Sequence, residues 1–143
     1  MGFQILQFIE SLIQLSMIIM VGLYFIFSNT IMASLGKFES GADVMVEINK
    51  AILNPVFMAV FWMSGLGALY LVIVAEGMLF ISGLVFISGT TLVTMVINVP
   101  LNNQLKEAGA QREQVWQDYL DKWVFWNHVR TVAATSSGLL LVV

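Results

Sequence analysis

The sequence contains no cysteine, only two prolines and a single histidine, and charged residues make up just 10% of its 143 positions. Without cysteine there is no disulfide framework, iron–sulfur cluster, thiolate zinc site or cysteine nucleophile, and the redox compartment leaves no mark on the chain. One histidine makes a histidine-based metal site poor, because such sites draw on several ligands. A metal or haem iron would have to rest on His128, carboxylates or methionine. The six basic residues are too few and too scattered for a nucleic-acid surface. No Walker loop, dinucleotide-binding glycine pattern, zincin motif or nucleophile elbow occurs. The repeated FISG of residues 80–89 lies inside an apolar run and is no phosphate loop.

What is there is apolar. Hydrophobic residues form 59% of the chain and mean hydropathy is +0.88, against roughly 45–50% apolar in soluble domains. The chain therefore reads as one membrane domain over residues 1–143. Its amino-terminal run lacks a basic region and a cleavage motif, so it is expected to be retained as a span. Leu6 stands where a myristoylation signal needs Ser or Thr.

A helix needs about 20 apolar residues to cross a bilayer, and four segments qualify, near residues 3–29, 55–75, 78–99 and 124–143. The expected fold is all-α: an integral membrane four-helix bundle with a cytoplasmic-side cap of short helices. In the first span Gln7, Glu10, Ser11 and Gln14 share a face that leads on to Phe25, Ser28 and Asn29, and that stripe is expected to face protein. Residues 42–50 suggest a short surface helix with Val44, Ile48 and Ala51 on one side. Asn54-Pro55 is a helix start, and Glu76-Gly77 is a tight hairpin. Thr90, Thr94 and Asn98 line up as a polar ladder. Pro100 is expected to break or re-aim the third span, leaving residues 101–114 as a polar connector. Five of the six Lys and Arg fall in the first and third connections, and the sixth, Arg130, lies a few residues inside the span that follows the third, which puts those connections in the cytoplasm and both termini outside.

This topology gathers Asn29, Asn54, Asn98 and the Asn127-His128 pair at one end, as a polar pocket or simply as helix caps. His128 is open to three readings: a satisfied interfacial histidine, a general acid or base, or an axial ligand to haem or a metal. Arg130, inside the expected boundary, either snorkels or serves function. Trp116, Trp123 and Arg130 recur every seven residues and form one stripe with Asn127. The tryptophans read as an interfacial belt or as stacking groups.

Four segments, FIFSNTIMASL, VMVEINKAILNPVF, NVPLNNQL and WQDYLDKWVFWNHVRTVAAT, resemble in order and spacing the anthrone oxygenase-like family of small membrane proteins. The resemblance implies a four-helix membrane protein. It also implies monooxygenase-type oxidation of anthrones to anthraquinones, an activity linked to some fungal members without an identified organic cofactor. The matching polar positions are Asn29, Asn49, Asn54, Asn98, Asn102, Trp123, Asn127, His128 and Arg130. The sequence departs at Ala33, where many relatives are expected to carry proline after the methionine. On this reading His128 is the base, Arg130 and Asn98 stabilise a developing oxyanion, and Asn29, Asn49, Asn54, Asn102, Trp123 and Asn127 bind substrate. The implied partners are the lipid bilayer and a lipophilic aromatic molecule. Two other readings stand beside it: a non-catalytic subunit, in a homo-oligomer or a larger membrane complex, and a haem- or metal-binding protein using His128.

Overall fold

The computed structural model describes residues 2–143, and its described residues form five helices and no strand. These are α1 (Gly2–Leu35), α2 (Gly41–Ala51), α3 (Pro55–Val74), α4 (Gly77–Glu107) and α5 (Arg112–Val142). Helices α1, α3 and α4 are each long and apolar enough to cross a membrane and mark an integral membrane protein. Composition does not single out α5 in the same way, although it has 31 residues. Its apolar half is diluted by Asn127, Arg130 and Ser137, all turned into the bundle.

The four long helices pack side by side, α1 against α3 and α5, and α4 against α3 and α5. Polarity is distributed inside out. Ser16, Ser64, Ser82, Thr90, Asn98 and Asn127 are buried, while Ile18, Ile19, Leu66, Ile73, Val96 and Val132 are exposed. A continuous apolar exterior of this kind suits a hydrocarbon surrounding and not water. Inside, small residues let the backbones approach. Ser82 and Ser137 are completely buried between α4 and α5, and each hydroxyl donates to the other residue's carbonyl at 3.0 Å. Gly83 sits directly against the Ala68 carbonyl of α3.

The ends of the helices follow local chemistry. Asn54 caps α3: its Oδ1 accepts from the Phe57 amide at 3.0 Å and its Nδ2 donates to the Ala51 carbonyl at 3.1 Å, with Pro55 opening the first turn. Gly77 takes φ +60° and turns the chain between α3 and α4, a conformation that side chains disfavour.

Three expectations change. The Gln7–Gln14 stripe faces protein only in part: Gln7 and Ser11 are exposed, and Ser11 donates to the Gln7 carbonyl, whereas half-buried Glu10 and Gln14 line a pocket with Tyr70 and Leu71 of α3, and Ser28 further along bonds Asn127. The buried face of α1 is instead Ile13, Ser16, Met17, Met20 and Tyr24, because the neighbouring helices offer it close-packing partners. In α2 the core side is Ala42, Met45 and Val46, with Val44 exposed. Pro100 does not end α4. A wide π turn over Thr94–Asn98 precedes it, and Pro100 then falls in the first turn of a renewed α segment, Val99–Glu107, where a missing amide hydrogen is tolerated. The expected polar connector is therefore mostly helix. Only a short turn around Gly109 separates α4 from α5, which starts well before residue 124.

Candidate functional site

Along α5 the buried residues are Trp116, Tyr119, Trp123, Asn127, Arg130, Ala134 and Ser137. Steps of three and four keep them on one helical face. The first three form an aromatic ladder, with Trp116 stacked on Tyr119 at 5.5 Å and Tyr119 on Trp123 at 5.9 Å between ring centroids. Below the ladder the stripe changes from aromatic to ionic at Arg130, which is only 5% exposed.

Arg130 has no carboxylate partner among the described residues. Its guanidinium carbon lies 4.7 Å from the Tyr24 ring centroid and 5.0 Å from that of Trp123, a cation held between two aromatic faces. Nη1 donates to Thr94 Oγ1 at 3.1 Å and Nη2 to Asn127 Oδ1 at 2.7 Å, while Nε has no partner. Asn127 is fixed in turn, its Nδ2 donating to the Tyr24 carbonyl at 3.0 Å and to Ser28 Oγ at 2.7 Å. Ser28 and Thr131 close the cluster through a 2.7 Å hydroxyl contact. Helices α1, α4 and α5 thus all contribute to positioning one cation. Near the cluster α1 and α4 widen into π turns at Phe27–Ile31, Ile87–Leu92 and Thr94–Asn98, a departure from α geometry that is frequent at functional sites.

Arg130 borders a cavity of about 180 Å³ at the end of the bundle that α2 covers. An apolar cavity of roughly 150 Å³ already admits benzene, so this one has room for an aromatic ring. Its walls are mainly apolar, including Met20, Phe27, Met45 and Phe61, and Asn49, Asn102 and Asn127 add amides. Exposed Lys50, Leu53, Asn103 and Lys106 form its rim. No carboxylate and no histidine lines it. Above the cavity, Tyr119 donates to Asn102 Oδ1 at 2.8 Å. Burial pushes the pKa of that phenol up, which keeps it a donor.

The residues singled out from the sequence therefore separate into two groups. Asn49, Asn102, Trp123, Asn127 and Arg130 come together around the cavity. Asn98 is buried directly behind it, its Nδ2 3.4 Å from the Trp123 carbonyl, and is not part of the wall. Asn54 serves as the cap of α3 and is exposed, and the side chain of exposed Asn29 donates to Oγ1 of its neighbour Thr30. His128 stands on the outer face of α5 and does not reach the cavity. One residue past Asn127, the helix has turned about 100° away from the buried stripe. Among the described residues no three of His, Asp and Glu converge where they could hold a metal ion.

Sequence reasoning missed Tyr24 and Tyr119 as members of this site, and placed Ser28 only on the protein-facing stripe of α1. Tyr119 was readable, since it fills the step between Trp116 and Trp123 in the stripe. Tyr24 was not: it stands in an unbroken apolar run, and only the packing of α1 on α5 turns it toward Arg130.

A cavity with polar groups at its base, sunk in the end of an apolar helical bundle, defines a small helical membrane protein with an internal site. The chain belongs to the anthrone oxygenase family, whose model matches residues 43–140. That match takes in α2 to α5 and leaves out α1, and with it the FIFSNTIMASL segment. No curated protein and no solved structure matches the chain.

Proposed function

We propose that this protein is a membrane-embedded oxygenase that oxidises a lipophilic, anthrone-like aromatic in the cavity beside Arg130. One observation carries the reading: a buried guanidinium with no acid partner borders an aromatic-sized, mainly apolar cavity. An uncompensated buried cation is costly, and the cost is offset when a ligand oxygen in the cavity becomes anionic. An anthrone supplies that oxygen. Loss of a proton from its methylene carbon, to water at the cavity mouth, leaves an enolate whose oxygen carries the charge. The electron-rich carbon then reduces dioxygen, and a C–O–O bond forms. Loss of the second methylene proton with cleavage of the O–O bond releases water and leaves a ketone, so that each substrate consumes one dioxygen. Arg130 stabilises the enolate, Asn127 and Thr94 hold Arg130 in place, and Trp123 packs beside the substrate ring. Asn98 steadies the α5 backbone at Trp123 and acts through it.

Family membership supports oxygenase-type chemistry. The direct test is oxygen uptake and anthraquinone formation by the purified protein in detergent, with anthrone as the probe. Absence of anthrone-dependent oxygen uptake would overturn the proposal. His128→Ala is expected to keep kcat/KM within about twofold of the unchanged protein, since an exposed side chain outside the wall makes no contact with the reacting atoms. A loss of a hundredfold or more would return the role of base to His128.

The proposed architecture is a single membrane domain in which α5 crosses with α1, α3 and α4. The cavity end, capped by α2, faces the cytoplasm and both termini lie outside. The asymmetry of Lys and Arg between the two ends supports this orientation. The chain has no cysteine, so single cysteines introduced at Ser40 and at Glu76 report it cleanly. An impermeant maleimide applied to intact cells is expected to label the second and not the first, and the reverse pattern would invert the topology.

A further inference from the structure

The cavity carries charge of one sign. Arg130 stands at its base and Lys50 and Lys106 at its mouth, and no carboxylate joins them in the lining, although the chain as a whole holds nine acids against six bases. Lys106 has no ion-pair partner among the described residues, and Lys50 meets only Glu47, one turn away on the exposed side of α2. An exposed pair of that kind is weak, which leaves Lys50 free to exchange partners. A cleft with apolar walls focuses the field of such charges on whatever enters it. The mouth lies where α3 and α4 part. α3 packs along residues 77–92 of α4, and beyond them α4 packs on α2 and α5 instead. Exposed Lys50, Leu53, Asn103 and Lys106 border the gap. It opens at the end of the apolar spans, where lysine stems lie along apolar surface and their ammonium groups stay in water.

We propose that the cavity selects an acidic aromatic lipophile, which enters through the gap between α3 and α4, lays its rings against Phe27, Phe61 and Trp123, and leaves a carboxylate at Lys50 and Lys106. The walls dictate this order. They are mainly apolar below the rim, and a carboxylate is cheaper to hold at the mouth, where it keeps part of its water, than at Arg130, where it would be stripped of it. A phospholipid fits less well, because a cavity of about 180 Å³ suits one ring system and not two acyl chains. The inference deepens the oxygenase reading and rests on it for the role of the cavity: with the acid at the mouth, the ring edge farthest from it is the one that reaches Arg130. Lys50 and Lys106 then determine which substrate is taken and in which direction it points, and they touch none of the reacting atoms.

The test is calorimetric titration of the purified full-length protein in a non-ionic detergent at neutral pH, with naphthoate, the neutral naphthamide and dodecanoate. Naphthoate is expected to bind at least about fivefold more tightly than naphthamide, with the preference shrinking as salt is added. In a protein carrying both Lys50→Gln and Lys106→Gln the preference is expected to fall below about twofold, while naphthamide affinity stays within about twofold of the parent. Both lysines are exposed, so the double variant should fold. Lys106→Glu, which reverses one charge at the mouth, is expected to make naphthamide the tighter ligand. Equal affinity for naphthoate and naphthamide in the parent would overturn the inference. So would an acid preference that survives in the double variant and disappears in Arg130→Met, which would put the carboxylate at the base. Tighter binding of dodecanoate than of naphthoate would also overturn it, in favour of a fatty acid. Acid-selective binding without anthrone turnover would sink the oxygenase reading alone, and anthrone turnover without acid preference would sink this one alone.

Discussion

Arg130→Met is expected to lower kcat/KM for anthrone oxidation by about two to three orders of magnitude, the range found when one preorganised oxyanion donor is removed. Methionine keeps much of the length and none of the charge, so the packing between Tyr24 and Trp123 is largely preserved. Removing a buried cation that has no acid partner also relieves a desolvation cost, and the variant should fold at least as well as the parent. The loss is expected mainly in kcat, because the interaction strengthens as the enolate forms. Arg130→Lys is expected to fall in between, since it keeps the charge but loses the planar group that reaches Thr94 and Asn127 together. If folded Arg130→Met protein turns anthrone over within threefold of the parent, Arg130 is not the oxyanion partner.

The largest effect on stability is expected at Gly83. A Cβ built there would lie 2.6 Å from the Ala68 carbonyl oxygen and 2.9 Å from Leu71 Cβ. Both neighbours are tied to the α3 backbone and cannot rotate away. Gly83→Val must therefore pry α3 from α4 and should destabilise the fold by about 3 kcal/mol or more. Gly22 provides the control. It is equally helical, but no atom lies within 4 Å of its would-be Cβ, so Gly22→Val should change stability by no more than about 0.5 kcal/mol. Denaturant titration in detergent, followed by circular dichroism, measures both. Equal stability of the two variants would mean that the α3–α4 contact is not close-packed.

These two residues differ in how openly the sequence displays them. Arg130 belongs to the tryptophan stripe of α5, and a cation amid apolar residues attracts notice whatever surrounds it. Gly83, in the repeated FISG, reads as a small-residue packing contact, but helical periodicity alone does not separate it from Gly22. The two diverge only because α3 packs on one face of α4, whereas lipid or solvent surrounds that side of α1.

Composition and local chemistry determined much of this protein. Apolar runs long enough for a bilayer, the Asn54-Pro55 cap and the Glu76-Gly77 hairpin depend on neighbours a few residues away, and so they can be read in one dimension. The α5 stripe is equally legible, since helical spacing alone puts Trp116, Trp123, Asn127 and Arg130 on one face. Tertiary structure decided which face of each helix is inside. The polar stripe of α1 looked like its buried side, but Gln7 and Ser11 lie outside, whereas Met20 and Tyr24 are buried because α3 and α5 pack closely there. The same rule separated Asn127 from His128. Adjacent in sequence, they are about 100° apart around the helix, and only the packing of α1 and α4 on α5 determined which one meets the cavity.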